Sequence, residues 1–108
     1  MNTVSADNGK GWSVNLEERV NALEVAGLKR TYVLPWHQFL YAEGGDDDVR
    51  AVFAMHEVTV RGARLRALLA DLAAQSVTVI REPMRAERFQ RHLDRFIREV
   101  DMREHRGE

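Results

Sequence analysis

Apolar residues recur along the chain first at one period and then at another, and these shifts predict the elements. The densest patterning lies in 49–82. There Val49, Ala51, Phe53 and Met55 alternate on one face, while Val58 and Val60 continue on the opposite parity, the period of two expected of a strand. So long an extended run is too much for one straight strand in a small domain, and a bulge or tight turn is predicted near 55–57. From Leu65 the spacing widens. Leu65, Leu68, Leu69 and Leu72 share one helical stripe, with Ala63, Ala67, Ala70 and Ala74 behind it. This predicts a helix over 63–75 between strands at 56–61 and 77–81, a βαβ unit that is right-handed if its strands are parallel. The alanine back of that helix could admit another helix, from this chain or a second subunit.

The flanks follow the same logic. Asn15 with Glu18 three residues on resembles a capping box, and Leu16, Val20 and Leu23 form a thin stripe that stops at Gly27, which predicts an N-terminal helix. Residues 28–43 are rich in aromatic and β-branched side chains but contain Pro35, so they read as one edge strand broken at the proline or as two short strands. The Gly-Gly-Asp-Asp-Asp run at 44–48 is turn chemistry that predicts a hairpin. After Pro83, the spacing of Phe89, Leu93, Phe96, Ile97 and Val100 predicts a second amphipathic helix from about residue 85.

The expected fold class is therefore α+β. It has a small, mostly antiparallel sheet from segments 30–42, 49–61 and 77–82, a strand-helix-strand centre and a C-terminal amphipathic helix. A chain of 108 residues suits one hydrophobic core. That single domain is expected over 13–104, between a polar, mobile tail at 1–12, with Trp12 as its one anchor candidate, and a fraying end at 105–108.

Composition narrows the function classes a little. With 44% apolar residues and a formal net charge of −1, the chain resembles an ordinary soluble domain. No apolar run approaches the roughly 18 residues of a membrane helix, so no membrane role is expected. Acidic residues dominate before residue 49 and basic ones are in slight excess after it, which leaves no strong electrostatic footprint for nucleic acid. The lack of cysteine removes disulfide and thiol chemistry. With no signal-peptide pattern at the start, a cytoplasmic location is expected.

Candidate chemistry is sparse. His37, His56, His92 and His105 have no recognised metal spacing, and His56-Glu57 lacks the second histidine of a helical zinc motif. Glu43 and Asp46, Asp47 and Asp48 do not alternate as calcium ligands do and read as a solvated turn. Ser5, Ser13 and Ser76 have neither a glycine frame nor an identifiable base. No catalytic set, metal or cofactor is implied. Trp36, His37 and His56 could face one another across strands and form a small-molecule site, with Glu57 as a potential acid-base partner. Arg88, Arg91 and Arg95 share one side of the predicted last helix and could meet the phosphates of nucleic acid. Glu87 to Arg91 and Asp94 to Arg98, each four apart, instead describe a salt-bridged, solvated face. The segment 32–41, with Trp36, Phe39 and Leu40, is too apolar to leave wet and favours a homodimer or a protein partner. The reading is a non-catalytic interaction or regulatory module that self-associates, with a nucleic-acid-associated protein and a small-molecule-binding domain as alternatives.

Overall fold

The computed structural model describes residues 5–6, 11–84 and 96–104. Within them the chain forms β1 (Ser5–Ala6), β2 (Trp12–Asn15), β3 (Ala22–Ala26), β4 (Thr31–Pro35), a 3-10 turn (Trp36–Gln38), β5 (Phe39–Gly44), β6 (Asp48–Phe53), β7 (His56–Ala63), α1 (Arg66–Ala73), β8 (Val77–Arg81) and β9 (Phe96–Glu104). The strands make two sheets, ordered β1-β2-β8-β3-β4 and β5-β6-β7-β9. Every pairing is antiparallel except that of β3 with β8. One core lies between them: Trp12, Leu23, Val25 and Ile80 from the first sheet, Val49, Phe53, Val58 and Val60 from the second, with Leu65, Leu68 and Leu72 of the helical segment. The fold is thus mostly β, a two-sheet sandwich with a single helix among the described residues, and the α+β expectation is overturned.

Each departure has a physical cause. The capping-box reading located a real local bond, because the Asn15 side-chain oxygen accepts the amides of Glu17 and Glu18 at 3.0 and 3.1 Å. No helix follows it. The chain turns and becomes extended, since Leu23 and Val25 are buried with exposed Glu24 between them, and β3 finds partners on both sides. Strand, helix and strand do follow one another at 56–81, but β7 and β8 belong to different sheets. A helix of eight residues spans about 12 Å, whereas a strand of eight spans about 26 Å. It is too short to carry the chain back along β7 and instead bridges the two sheets. Its ends are set by two non-glycine residues of positive φ, Arg64 at 54° and Gln75 at 55°. The second closes a Schellman cap, with Gln75 N bonded to Leu72 O and Ser76 N to Asp71 O.

The predicted C-terminal helix is overturned as well, because 96–104 is strand β9, paired along its length with β7. Its predicted first half, including Phe89 and Leu93, lies outside the described residues. Other expectations hold. The turn predicted near 55–57 is the tight connection at Ala54 and Met55 between β6 and β7. The glycine-aspartate run is the β5–β6 hairpin, closed by Gly45 N to Asp48 O. Pro35 ends an edge strand. Gly27 N to Arg30 O and Trp36 N to Asn21 O set the alternation of the β3–β4 ladder, which turns position 35 outward to the free edge, where a missing N–H costs nothing. Of the alanine back of α1, Ala67 packs on the core while Ala70 and Ala74 are exposed.

The N-terminal stretch also contributes to the sheet. Ser5 and Ala6 pair with Asn15 and Val14. Trp12 is the first residue of β2, fully buried, and its indole N–H donates to the Asp71 carboxylate on α1 at 3.0 Å.

Candidate ligand groove

The residues singled out from sequence do not converge. Trp36 is 4% exposed, and its indole N–H donates to Val77 O of the first sheet at 3.3 Å. Its ring meets Phe39 and Phe53 of the second sheet, with centroids 5.1 and 5.5 Å away. The aromatic segment that looked like an outer interface is the joint between the sheets: Pro35 and the 3-10 turn swing the chain from one to the other, and Ala54 N to Gln38 O holds the corner. His37 is exposed on that turn. His56 is half-buried at the start of β7, its ring 6.2 Å from that of Tyr32. Arg88, Arg91 and Arg95 lie outside the described residues.

Charge collects on the outer face of the second sheet. Register places Glu43 opposite Arg50 and Arg61 opposite both Asp48 and Glu99. Arg50 donates to Glu43 at 2.6 Å, to Glu57 at 3.4 Å and to the Tyr41 hydroxyl at 3.2 Å. The Glu43 hydrogen bond raises the pKa of Arg50 above its ordinary value, with the nearby charges of Glu43 and Glu57 adding to it and partial desolvation opposing. A permanently charged guanidinium held between two carboxylates offers neither a nucleophile nor a titrating base at neutral pH. The set fixes strand register and keeps Glu57, 9% exposed, paired. Among the described residues no group of three or more histidine, aspartate or glutamate side chains is placed to hold a metal ion.

A concave feature with a mixed chemical lining lies where the β3–β4 hairpin faces β9. Leu28 and Lys29 form its two-residue turn, closed by Gly27 N to Arg30 O at 2.8 Å. Gly27 is needed there, because a Cβ at that position would sit 2.9 Å from Arg30 O. The turn is pinned to the end of β8 from two directions: Glu82 N donates to Ala26 O, and the Glu82 carboxylate accepts Leu28 N at 3.2 Å. Between turn and β9 lies an open groove of about 390 Å³, lined by Val25, Leu28, Tyr32, Val100 and Met102 together with the charged side chains of Lys29, Arg30 and Glu82. Both cations are exposed, and neither makes an ion pair among the described residues.

Sequence reasoning missed this groove. Gly27 read as a helix stop and Val100 as one position of a helical stripe. The available signal was the tetrapeptide Gly27-Leu28-Lys29-Arg30, in which an apolar and two cationic residues directly follow a turn glycine. No protein family, curated protein or solved structure matches the chain.

Proposed function

We propose that the protein is a non-catalytic binding module whose recognition surface is the groove between the β3–β4 turn and β9. The observation that carries this reading is the groove itself: about 390 Å³ of open space with five apolar lining residues, within the range of about 300 to 1,000 Å³ typical of small-ligand sites. Among the described residues no hydrogen bond or ion pair joins His37 or His56 to a carboxylate, and neither histidine lines the groove.

The test is amide-shift mapping by NMR with a neutral alkyl probe, 1-octanol. Saturable shifts at Val25, Leu28, Tyr32, Val100 and Met102 are expected, and Met102→Trp, which fills the groove, should abolish them while the far-ultraviolet spectrum and melting remain those of a folded chain. Val100→Phe serves as a second filling variant should the tryptophan fail to fold. Absence of saturable shifts, or shifts that survive filling, would overturn the reading.

Self-association is a second reading, favoured by Val33 at 65% and Leu40 at 62% exposure on edge strands β4 and β5. Its basis is narrower than the sequence suggested, because Trp36 is buried and Phe39 packs on the core. The edges are also blunted, β4 by Pro35 and β5 by an irregular register between Phe39 and Tyr41. Light scattering at micromolar concentration decides it, with twice the chain mass supporting a dimer and a monomer's mass refuting it.

A further inference from the structure

Given the groove as a binding site, we infer that its ligand is a short-chain alkyl carboxylate, with the carboxylate between Lys29 and Arg30 and the chain over Tyr32, Val100 and Met102. Three observations fix the class. The volume of about 390 Å³ lies near the lower end for ligand sites, which suits a chain of modest length rather than a polymer. Five of the lining residues, Val25, Leu28, Tyr32, Val100 and Met102, are largely apolar, so most of the affinity comes from methylene burial, and a polyhydroxylated ligand would set its hydroxyls against them. The charges along the groove are unequal. Lys29 and Arg30 are two adjacent cations without ion pairs among the described residues, set against one carboxylate, Glu82, which also lines the groove and accepts the backbone N–H of Leu28.

The turn geometry explains the arrangement. A two-residue hairpin loop places Lys29 and Arg30 next to one another at the open end of the groove while Tyr32, two residues further along the strand from Arg30, is a lining residue. Head and tail of the ligand are thus read by consecutive parts of one hairpin. Arginine is weakly hydrated and forks onto a carboxylate, whereas lysine supplies a movable point charge.

The experiment compares octanoate, 1-octanol and octylammonium on the full chain by calorimetry and NMR, below their aggregation concentrations. Octanoate should bind several-fold more tightly than octanol, and octylammonium more weakly than either. Hexanoate should bind about 15-fold more weakly than octanoate, the effect of two buried methylenes. Raising salt from about 0.02 M to about 0.5 M should weaken octanoate binding and leave octanol unchanged. The double variant Lys29→Glu/Arg30→Glu, both sites exposed, should lose the preference for octanoate and keep octanol. If octanol binds in the groove and octanoate binds no better, or the double variant leaves octanoate unaffected, the carboxylate assignment is overturned while the groove stands. If none of the three probes binds, the groove reading falls with it.

Discussion

Replacing Trp12 by Phe tests whether the N-terminal strand is part of the folded unit or a decoration on it. The indole is 1% exposed and gives its N–H to the Asp71 carboxylate 3.0 Å away, linking β2 to α1 across 59 positions of sequence. A hydrogen bond to a charged acceptor contributes about 1.5–3 kcal/mol, and the half-buried position of Asp71 puts this one at the lower end. Shrinking the indole to a phenyl ring in a packed core adds roughly 1–2 kcal/mol. The expected loss is thus about 3 kcal/mol, and at about 4 °C per kcal/mol for a domain of this size the melting temperature should fall by roughly 12 °C. Urea unfolding followed by circular dichroism and by the fluorescence of the remaining buried Trp36 measures it. A double-mutant cycle with Asp71→Ala isolates the bond, with an expected coupling of about 1.5 kcal/mol. A loss below about 0.5 kcal/mol, or a coupling below about 0.3 kcal/mol, would show that Trp12 does not hold the helix and that β2 adds little.

Other substitutions separate roles that the sequence leaves merged. Gly44 has φ 149° and a Cβ there would collide with the Asp48 carbonyl and Val49, whereas nothing lies within 4 Å of one at Gly45. Gly44→Ala should therefore cost more than about 2 kcal/mol and Gly45→Ala less than about 0.5 kcal/mol by denaturant melting. Gln75→Gly should stabilise by about 0.5 kcal/mol, because the left-handed cap position penalises a side chain more than glycine gains in unfolded freedom; a lower melting temperature would contradict the Schellman geometry. Leu68→Asp puts a charge at a fully buried site and should abolish folding, while Leu69→Asp, half-buried, should cost only about 1–3 kcal/mol. Arg50, its pKa raised by Glu43, contributes stability that is complete below the ordinary guanidinium range and lost only at extreme alkaline pH. The difference in melting temperature between wild type and Arg50→Gln should thus not drift on Arg50's account through the neutral range.

The mistaken C-terminal helix has a definite cause. A regular strand sends alternate residues to one face, so an apolar pair three apart looks helical. Here the register of β9 against β7 slips at Arg98, because Glu99 pairs with Arg61 and Ile97 with Gly62, and Ile97 and Val100 both reach the core. In β8 the slip at Thr78 does the same for Val77 and Ile80, and in β5 the slip at Leu40 does it for Phe39 and Ala42. Each bulge turns a period of two into a spacing of three at the core face, and in 96–100 that spacing imitated a helix. Period alone cannot see a bulge, which is fixed by the partner strand. The β5–β6 hairpin, the turn after Phe53 and the edge role of Pro35 were legible because local backbone chemistry determines them. The groove was not, because its two walls, at 25–32 and 100–102, belong to different sheets and meet only in the finished fold.

The position of β8 also has a consequence in time. It is the strand between β2 and β3, so the first sheet cannot be assembled in the order in which it is synthesised. When residue 26 emerges, the strands that will flank β8 have no seam to close, and each presents backbone donors and acceptors to whatever is near. At about 5–20 residues per second, the wait until residue 81 is made lasts roughly 3 to 11 s. The contacts that end it are distant in sequence and slow to form. The nascent chain thus passes through a stage in which β2 and β3 each lack the neighbour that β8 supplies, although β3 can already pair with β4. A ribosome stalled before residue 77 would hold it there, as a substrate for chaperones and proteases.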